Sequence, residues 1–268
     1  MKTSTTARIS LYLVGILLLA VSAHASGVEN SPAYTDLLLE DIQEVFTAPA
    51  HWQTDDWKNM GWATLAIVGT ASFIDAPLRD EMRRQPKDNS LMRIEQLGAE
   101  YSIVVLGSFY LVGSFADNDQ ASAVAQDGLA ASIIASGMIT PAIKLAAGRS
   151  RPYENTGTSD FKFLDASSPN SSFPSGHTTE AFALASVISA HYEETWIKAS
   201  TYTVACMVGI ARIYHDAHFA SDVLAGALIG NWVGLKVVAH NRTKRRNDVI
   251  VLPDIAQDYF GLRLAGKF

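Results

Sequence analysis

The chain has 268 residues, 48% of them hydrophobic and only 18% charged, with a formal net charge of −6. That length suits one large domain with appendages, and the acidic balance excludes a general nucleic-acid binder, because phosphate backbones select basic faces. A single cysteine, Cys206, excludes an internal disulfide and a zinc cluster; set in the apolar run TVACMVGIA, it reads as a buried, inert thiol.

At the start, Lys2 and Arg8 give a positive lead-in to the short apolar core ISLYLVGILLLAV, and the AHA ending at Ala25 fits a cleavage site. Residues 1–25 read as an export signal or as an uncleaved anchor, and either addresses the chain out of the cytoplasm. Residues 26–58 are polar apart from YTDLLLEDIQEVF. There Leu38, Leu39, Ile42, Val45 and Phe46 fall at helical spacing and predict an amphipathic surface helix. Six apolar segments follow, near 60–74, 97–115, 128–147, 177–191, 196–211 and 222–240, each rich in Ala, Gly, Ser and Leu. No strand-like alternation interrupts them, so residues 59–245 are predicted to form an all-α bundle of six apolar helices. In the tail, residues 246–268, DVIVLP and YFGLRLAGKF predict a short β-hairpin.

Each apolar segment is at or below the ~17–25 residues that a bilayer crossing needs, so six buried core helices and six membrane spans both fit. Gly226, Gly230 and Gly234 recur every four residues, and so do Gly128, Ser132, Ser136 and Thr140. Small residues at that spacing let helices approach closely, which tilts the reading toward a membrane bundle over a tight soluble one. In the embedded case the basic cluster RTKRR after His240 is expected in the cytoplasm. Lys144, His177 and Asp222 then fall on the exported side. An exported N-terminus requires that 60–74 does not cross, and Trp52, Trp57 and Trp62 suit a peripheral or re-entrant helix at the interface.

Chemistry-bearing residues gather in three places. Lys144 continues the second small-residue stripe, and Arg151 follows seven residues later, on the same face if the helix persists. Two cations held together need an anion between them. PSGH, residues 174–177, opens the fourth apolar segment, with Ser171, Ser172 and Ser175 as cap candidates. Free amides at Ser175 and Gly176, with the helix dipole, make an anion site. Gly176 lets an oxyanion reach the backbone, and His177 beside it is placed to donate a proton. In ARIYHDAHFASD, Arg212 offers a planar fork for phosphate oxygens. His218 and Asp222, four apart, are expected on one helix face. A carboxylate holding one ring nitrogen leaves the other free as a nucleophile. Alone, such a pair is more often a structural hydrogen bond, and His215 and Asp216 compete for the same role.

Together the three groups resemble the signature of the type 2 phosphatidic acid phosphatase superfamily, which includes bacterial class A acid phosphatases and vanadium haloperoxidases. That signature is Lys, six residues, Arg-Pro; Pro-Ser-Gly-His; then Ser-Arg, five residues, His, three residues, Asp. Lys144 with Arg151-Pro152, Pro174-Ser175-Gly176-His177, and Arg212, His218 and Asp222 match it, with Ala211 where the family has Ser. The resemblance covers residues 97–240. It implies a helical phosphatase domain at 59–245 that acts as a phosphomonoesterase without metal or other cofactor. His218 would attack phosphorus and form a phosphohistidine, with Asp222 orienting it. His177 would protonate the leaving alcohol and then activate water. Lys144, Arg151, Arg212 and the amides of Ser175 and Gly176 would hold the phosphoryl oxygens. Phosphoryl transfer spreads charge over three equatorial oxygens, so fixed cations and a helix N-terminus suit it.

The expected substrate is a lipid phosphate: phosphatidate, phosphatidylglycerophosphate, polyprenyl pyrophosphate or a lipid A phosphate. The expected place is a bacterial inner membrane, with the site facing the periplasm. Two alternatives stand beside it: a soluble periplasmic acid phosphatase acting on small phosphomonoesters, and a haloperoxidase that would hold vanadate.

Overall fold

The computed structural model describes residues 34–86, 100–165, 167–247, 250–256 and 259–265; the export-signal expectation for residues 1–25 lies outside them. The amphipathic piece forms α1 (Tyr34–Thr47). Val45 is buried and Leu38 and Ile42 pack on the core, while Leu39 and Phe46 face outward. The Asp56 carboxylate caps the Gln53 amide at 2.9 Å and opens α2 (Thr54–Phe73). At Ile74 the chain bends by 53° into α3 (Asp75–Arg84). α4 (Glu100–Phe115) and α5 (Asp119–Ser132) follow, and the Asn118 side chain caps α5 by accepting from the Ala121 amide. α5 runs through a π-helical stretch, Ile133–Ile139, into α6 (Thr140–Ala147). α7 (Gly176–His191), α8 (Thr195–Tyr214) and α9 (Ala220–Asn247) complete the all-α body. The tail is the expected hairpin, with β1 (Ile250–Ala256) antiparallel to β2 (Tyr259–Ala265) and Ala256 opposite Tyr259.

α7 lies at the centre, packed against α9, α8, α5 and α4. The glycine stripe explains how α9 reaches it. A β-carbon at Gly226, Gly230 or Gly234 would collide with the carbonyl oxygens of Ser175, Thr179 or Ala183 respectively. The second stripe meets α7 through hydroxyls. Ser132 Oγ donates to Glu180 Oε1 at 2.7 Å, and Thr140 Oγ1 lies 3.2 Å from Thr179 Oγ1. The core between them is built from Val124, Ile134, Val187, Val233 and Val237.

The outer surface is apolar as well. Trp62, Leu65 and Phe73 on α2, Val104 and Leu111 on α4, and Ile210 on α8 are all exposed, and α2 buries no residue. Water-soluble monomers do not display apolar surface so widely. Asp119–Ala147 and Ala220–Arg245 are long and apolar enough to cross a membrane, and α2 with α3 adds a third crossing if the bent pair counts as one. The protein is membrane-associated through this body. Cys206 lies on the outward side of α8 and is exposed, which corrects the buried-thiol expectation. In a body apolar inside and out, a hydrophobic run does not report burial.

The two ends of the body are chemically distinct. At one end α1 is tied to the last turns of α9: Asn241 Nδ2 donates to Asp41 at 3.0 Å, Lys236 pairs with Glu44 at 2.8 Å, and Lys244 pairs with Glu40. At the other end Asp75 pairs with Arg149 at 2.8 Å and accepts the Ser221 amide at 2.9 Å, beside the start of α9. α2 therefore travels from one end to the other, and the expectation of a peripheral 60–74 segment is corrected. That expectation assumed opposite sides for residue 26 and the RTKRR cluster. The fold instead puts α1 and the basic end of α9 together.

The α1 end carries a buried acid with a readable pH signature. Asp41 and Asp127 are both fully buried and share Asn241 Nδ2, at 3.0 and 2.9 Å. Asp127 also receives His191 Nε2 and Arg245, whereas Asp41 Oδ1 has no hydrogen-bond partner. Burial pushes the Asp41 carboxyl up to about 7; the Asn241 amide opposes the shift and Asp127 adds to it. Between the unfolded value, ~3.9, and about 7 the folded chain holds a proton that the unfolded chain has released. This contribution to stability is therefore fully present below the unfolded value and is lost as pH rises to about 7. Asp41→Asn is expected to raise the melting temperature at pH 8 and change it little below pH 4. Thermal unfolding of purified protein in detergent reads this directly, and an unchanged melting temperature at pH 8 would contradict it.

Candidate active site

Lys144 sits in the last turn of α6, and the helix stops at Gly148. Gly148 takes φ 57° and ψ 35° and donates its amide to the Lys144 carbonyl at 2.9 Å. Only glycine suits this left-handed cap, because a β-carbon would collide with the Lys162 carbonyl. The helix does not persist to Arg151, so Lys144 and Arg151 do not share a face as expected. Ser171 joins them instead: its carbonyl accepts from Lys144 Nζ, and its hydroxyl accepts from Arg151 Nη2 at 3.2 Å. Arg151 Nε is buried with no hydrogen-bond partner, a donor left for an incoming acceptor.

Ser175 immediately precedes α7. Its hydroxyl pairs with Thr178 Oγ1 at 2.9 Å, and its amide donates to the Asp222 carbonyl at 2.9 Å. The expected phosphate contact from the Ser175 amide is thus corrected; that donor fixes the start of α9 against α7. Gly176 opens α7, within the turn whose amides the helix itself leaves unbonded. A β-carbon there would meet nothing nearer than Thr140 Cγ2 at 3.7 Å and Lys144 Cε at 3.9 Å. Protein packing does not demand glycine, and Lys144 lies alongside. Burial pushes His177 down to about 3, and Arg212, His218, Arg151 and Lys144 add to the shift, so all three sequence groups meet around it. The negative charge of a bound phosphate acts in the opposite direction and favours the protonated ring.

After α8 the Arg212 carbonyl accepts the amides of Ala217 at 3.1 Å and His218 at 3.3 Å, and the chain turns through Asp216 at φ 59°. Asp216 pairs with Arg83 at 2.8 Å, so this competitor of Asp222 anchors α3 instead. His218 precedes α9 rather than lying on it, which corrects the shared helix face. Its Nδ1 is 2.8 Å from the Ser172 carbonyl oxygen and 3.8 Å from Asp222 Oδ2. A carbonyl only accepts, so Nδ1 carries the proton and Nε2 the lone pair. The Asp222 carboxylate is too far for a direct hydrogen bond. It orients the ring through its neighbours, accepting from Ser172 Oγ at 2.5 Å and from the Phe219 amide at 2.8 Å. Burial pushes His218 down to about 3, with Asp222 opposing the shift. The ring is therefore neutral, and its lone pair available, across the physiological range.

Behind His218 lies a buried cluster that sequence reasoning did not find. Arg149, 2% exposed, bridges Asp222 at 2.6 Å and Asp75 at 2.8 Å, and donates to Ser221 Oγ at 2.7 Å. Its guanidinium sits 4.2 Å from the centre of the Phe219 ring. A signal was present: GRSRP holds two arginines in a weakly charged region, and a charge folded inside must find a partner. Among the described residues no three His, Cys, Asp or Glu side chains gather as a metal site would need.

Residues 128–246, which contain all three groups, match the family model of the PAP2 superfamily. The chain is 48% identical over 65 residues to a lipid A 1-phosphatase of Porphyromonas gingivalis, covering 24% of this chain and 15% of that one. It is 32% identical over 108 residues to a lipid A 1-phosphatase of Rhizobium johnstonii, covering 38% and 42%. The chain thus spans less than half the length of either relative. The crystal structure of Aquifex aeolicus LpxE is 27% identical, with 62% of this chain and 95% of that chain covered and a TM-score of 0.49. The stretch that matches the PAP2 superfamily model, residues 128–246, is the stretch whose three motifs meet at one end of the helical body.

Proposed function

We propose that this protein is a lipid phosphate phosphatase that works through a phosphohistidine and needs no metal. The observation that carries the reading is convergence: Lys144, Arg151, Arg212 and His218 all act on His177 at the mouth of α7. The phosphoryl group binds among the three cations and the Gly176 amide, where glycine leaves room that packing does not fill. His218 Nε2 attacks phosphorus, and the bond to the leaving oxygen breaks as His177 gives that oxygen a proton. His177 then takes a proton from water, the water oxygen attacks phosphorus, and the P–N bond breaks. Charge on the equatorial oxygens is met throughout by the cations.

The lipid substrate is argued from depth. Lys144 lies in the last turn of one stretch able to cross a membrane, and Asp222 in the first turn of the other. A phosphate at that level is a headgroup phosphate. The lipid A 1-phosphatase relatives make a lipid A 1-phosphate the first ester to test. With Arg242, Lys244 and Arg245 on the cytoplasmic side, α1 is cytoplasmic and the site faces the periplasm.

The test is inorganic phosphate release by purified protein in mixed micelles containing lipid A 1-phosphate or phosphatidate, with and without a chelator of divalent cations. Release is expected in both conditions. No release from any lipid phosphate would defeat the reading, and chelator inhibition reversed by magnesium would defeat its metal-independent part.

A further inference from the structure

Between Arg151 and Ser171 the chain makes a loop whose tip is apolar. Phe163 is 75%, Leu164 76% and Phe161 41% exposed, and Phe161 stacks on Phe163 at 6.3 Å. The tip is not slack. The Ser150 amide donates to the Asp160 carbonyl at 2.9 Å, and the Lys162 amide to the Gly148 carbonyl at 2.8 Å. Asp165 closes the turn by donating its amide to the Lys162 carbonyl at 3.0 Å, and its carboxylate accepts from Asn170 Nδ2 at 2.7 Å. Leu164 takes φ 63°, a region that bulky side chains rarely occupy. A polar frame thus holds two large apolar side chains away from the body, against both their solubility and, at Leu164, backbone preference.

Its place in the fold says what covers it. Gly148, to which the loop is bonded, ends the Asp119–Ala147 stretch, and the other crossing stretch begins at Ala220. The loop therefore sits over the ends of both membrane-crossing stretches. Leu145, and Phe73 and Ile74 next to Asp75, are also exposed at this end. Asp160, Lys162 and Asp165 flank the aromatic and aliphatic residues, the mixed composition of a segment lying at a membrane boundary.

We infer that the Phe161–Leu164 turn is a membrane-surface anchor. Phe163 and Leu164 enter the acyl edge of the leaflet and hold the mouth of the site at headgroup depth. The occupant of this apolar tip is the bilayer itself. The consequence for substrate choice rests on the proposed phosphatase reading: phosphate esters presented in a membrane surface are favoured over those free in water.

Two measurements test the anchor, one of them independent of activity. In a Cys206→Ser background, Phe163→Cys is labelled with a polarity-sensitive fluorophore and the full chain is placed in phosphatidylcholine vesicles. Quenching by lipids spin-labelled high on the acyl chain is expected, with little quenching by aqueous iodide; the reverse pattern overturns the anchor. In the second, Phe163→Ser with Leu164→Ser is expected to lower kcat/KM on vesicle-borne phosphatidate by about tenfold. Hydrolysis of p-nitrophenyl phosphate should stay at the wild-type level, which also shows that the variant folds. Equal losses on both substrates, or no loss on either, count against the anchor. A wild type inactive on every phosphate ester would defeat the phosphatase reading alone, and the quenching result would still decide the anchor.

Discussion

His218→Ala is expected to reduce turnover of a lipid phosphate by about 10⁴-fold or more, because in the proposed mechanism it removes the attacking atom rather than a supporting contact. The geometry makes the assignment specific. The Ser172 carbonyl takes the Nδ1 proton at 2.8 Å, so the lone pair is on Nε2, the nitrogen not turned toward Ser172. Burial keeps the ring neutral down to about 3, so acidification through the ordinary histidine range should not disable it. Lys144, Arg151 and Arg212 remain in the variant, and inorganic phosphate should still bind with near wild-type affinity. A rapid-quench experiment with radiolabelled phosphatidate is expected to trap an acid-labile, base-stable phosphoprotein in the wild type and none in the variant. Turnover unchanged by the substitution would remove His218 as the nucleophile, whatever the fate of the rest of the site.

What could be read from the sequence follows what leaves a residue-level trace. The six apolar segments mark six helices because each is composed of residues that suit both a tight core and a lipid-facing surface. The glycines at 226, 230 and 234 reported a real close approach, since only a missing side chain admits the carbonyls of α7. The three motif groups were legible because charged and imidazole side chains stand out against an apolar background. Backbone partners leave no such trace. The carbonyl of Ser172, which fixes the His218 tautomer, and that of Asp222, which occupies the Ser175 amide, could belong to any residue type. The broken face between Lys144 and Arg151 did have a signal. Gly148 is a helix stop by its lack of a β-carbon, and weighting it above the seven-residue spacing would have ended the helix there. The course of α2 was not readable in the same way. It depends on which distant residues hold its ends, namely Arg149 and Ser221 at one and, through α1, the last turns of α9 at the other.

Arg149→Ala carries the second large effect, and it separates holding the nucleophile from holding phosphate. The side chains of Asp75 and Asp222 are both fully inaccessible, and Arg149 is the cation between them. Removing one partner of a buried ion pair typically costs about 3–5 kcal/mol, because the remaining charge stays buried without compensation. Here two carboxylates would be stranded together. The variant is therefore expected to melt about 10 °C or more below the wild type in detergent. Arg149→Lys should recover only part of the loss, since one ammonium cannot reproduce the planar fork that reaches Asp75, Ser221 and Asp222 at once. A loose Asp222 no longer fixes Ser172 and the Phe219 amide, and through them the His218 ring. At a temperature where Arg149→Lys is folded, kcat should fall by about tenfold to a hundredfold while inorganic phosphate binds as before. That split is the signature of a positioning residue, because Arg149 stands behind His218 and is not among the cations that meet around His177. A substitution that weakened phosphate binding and kcat equally would place Arg149 among the phosphate-holding cations instead, and one that left both melting temperature and kcat intact would mean that the carboxylates need no such bridge.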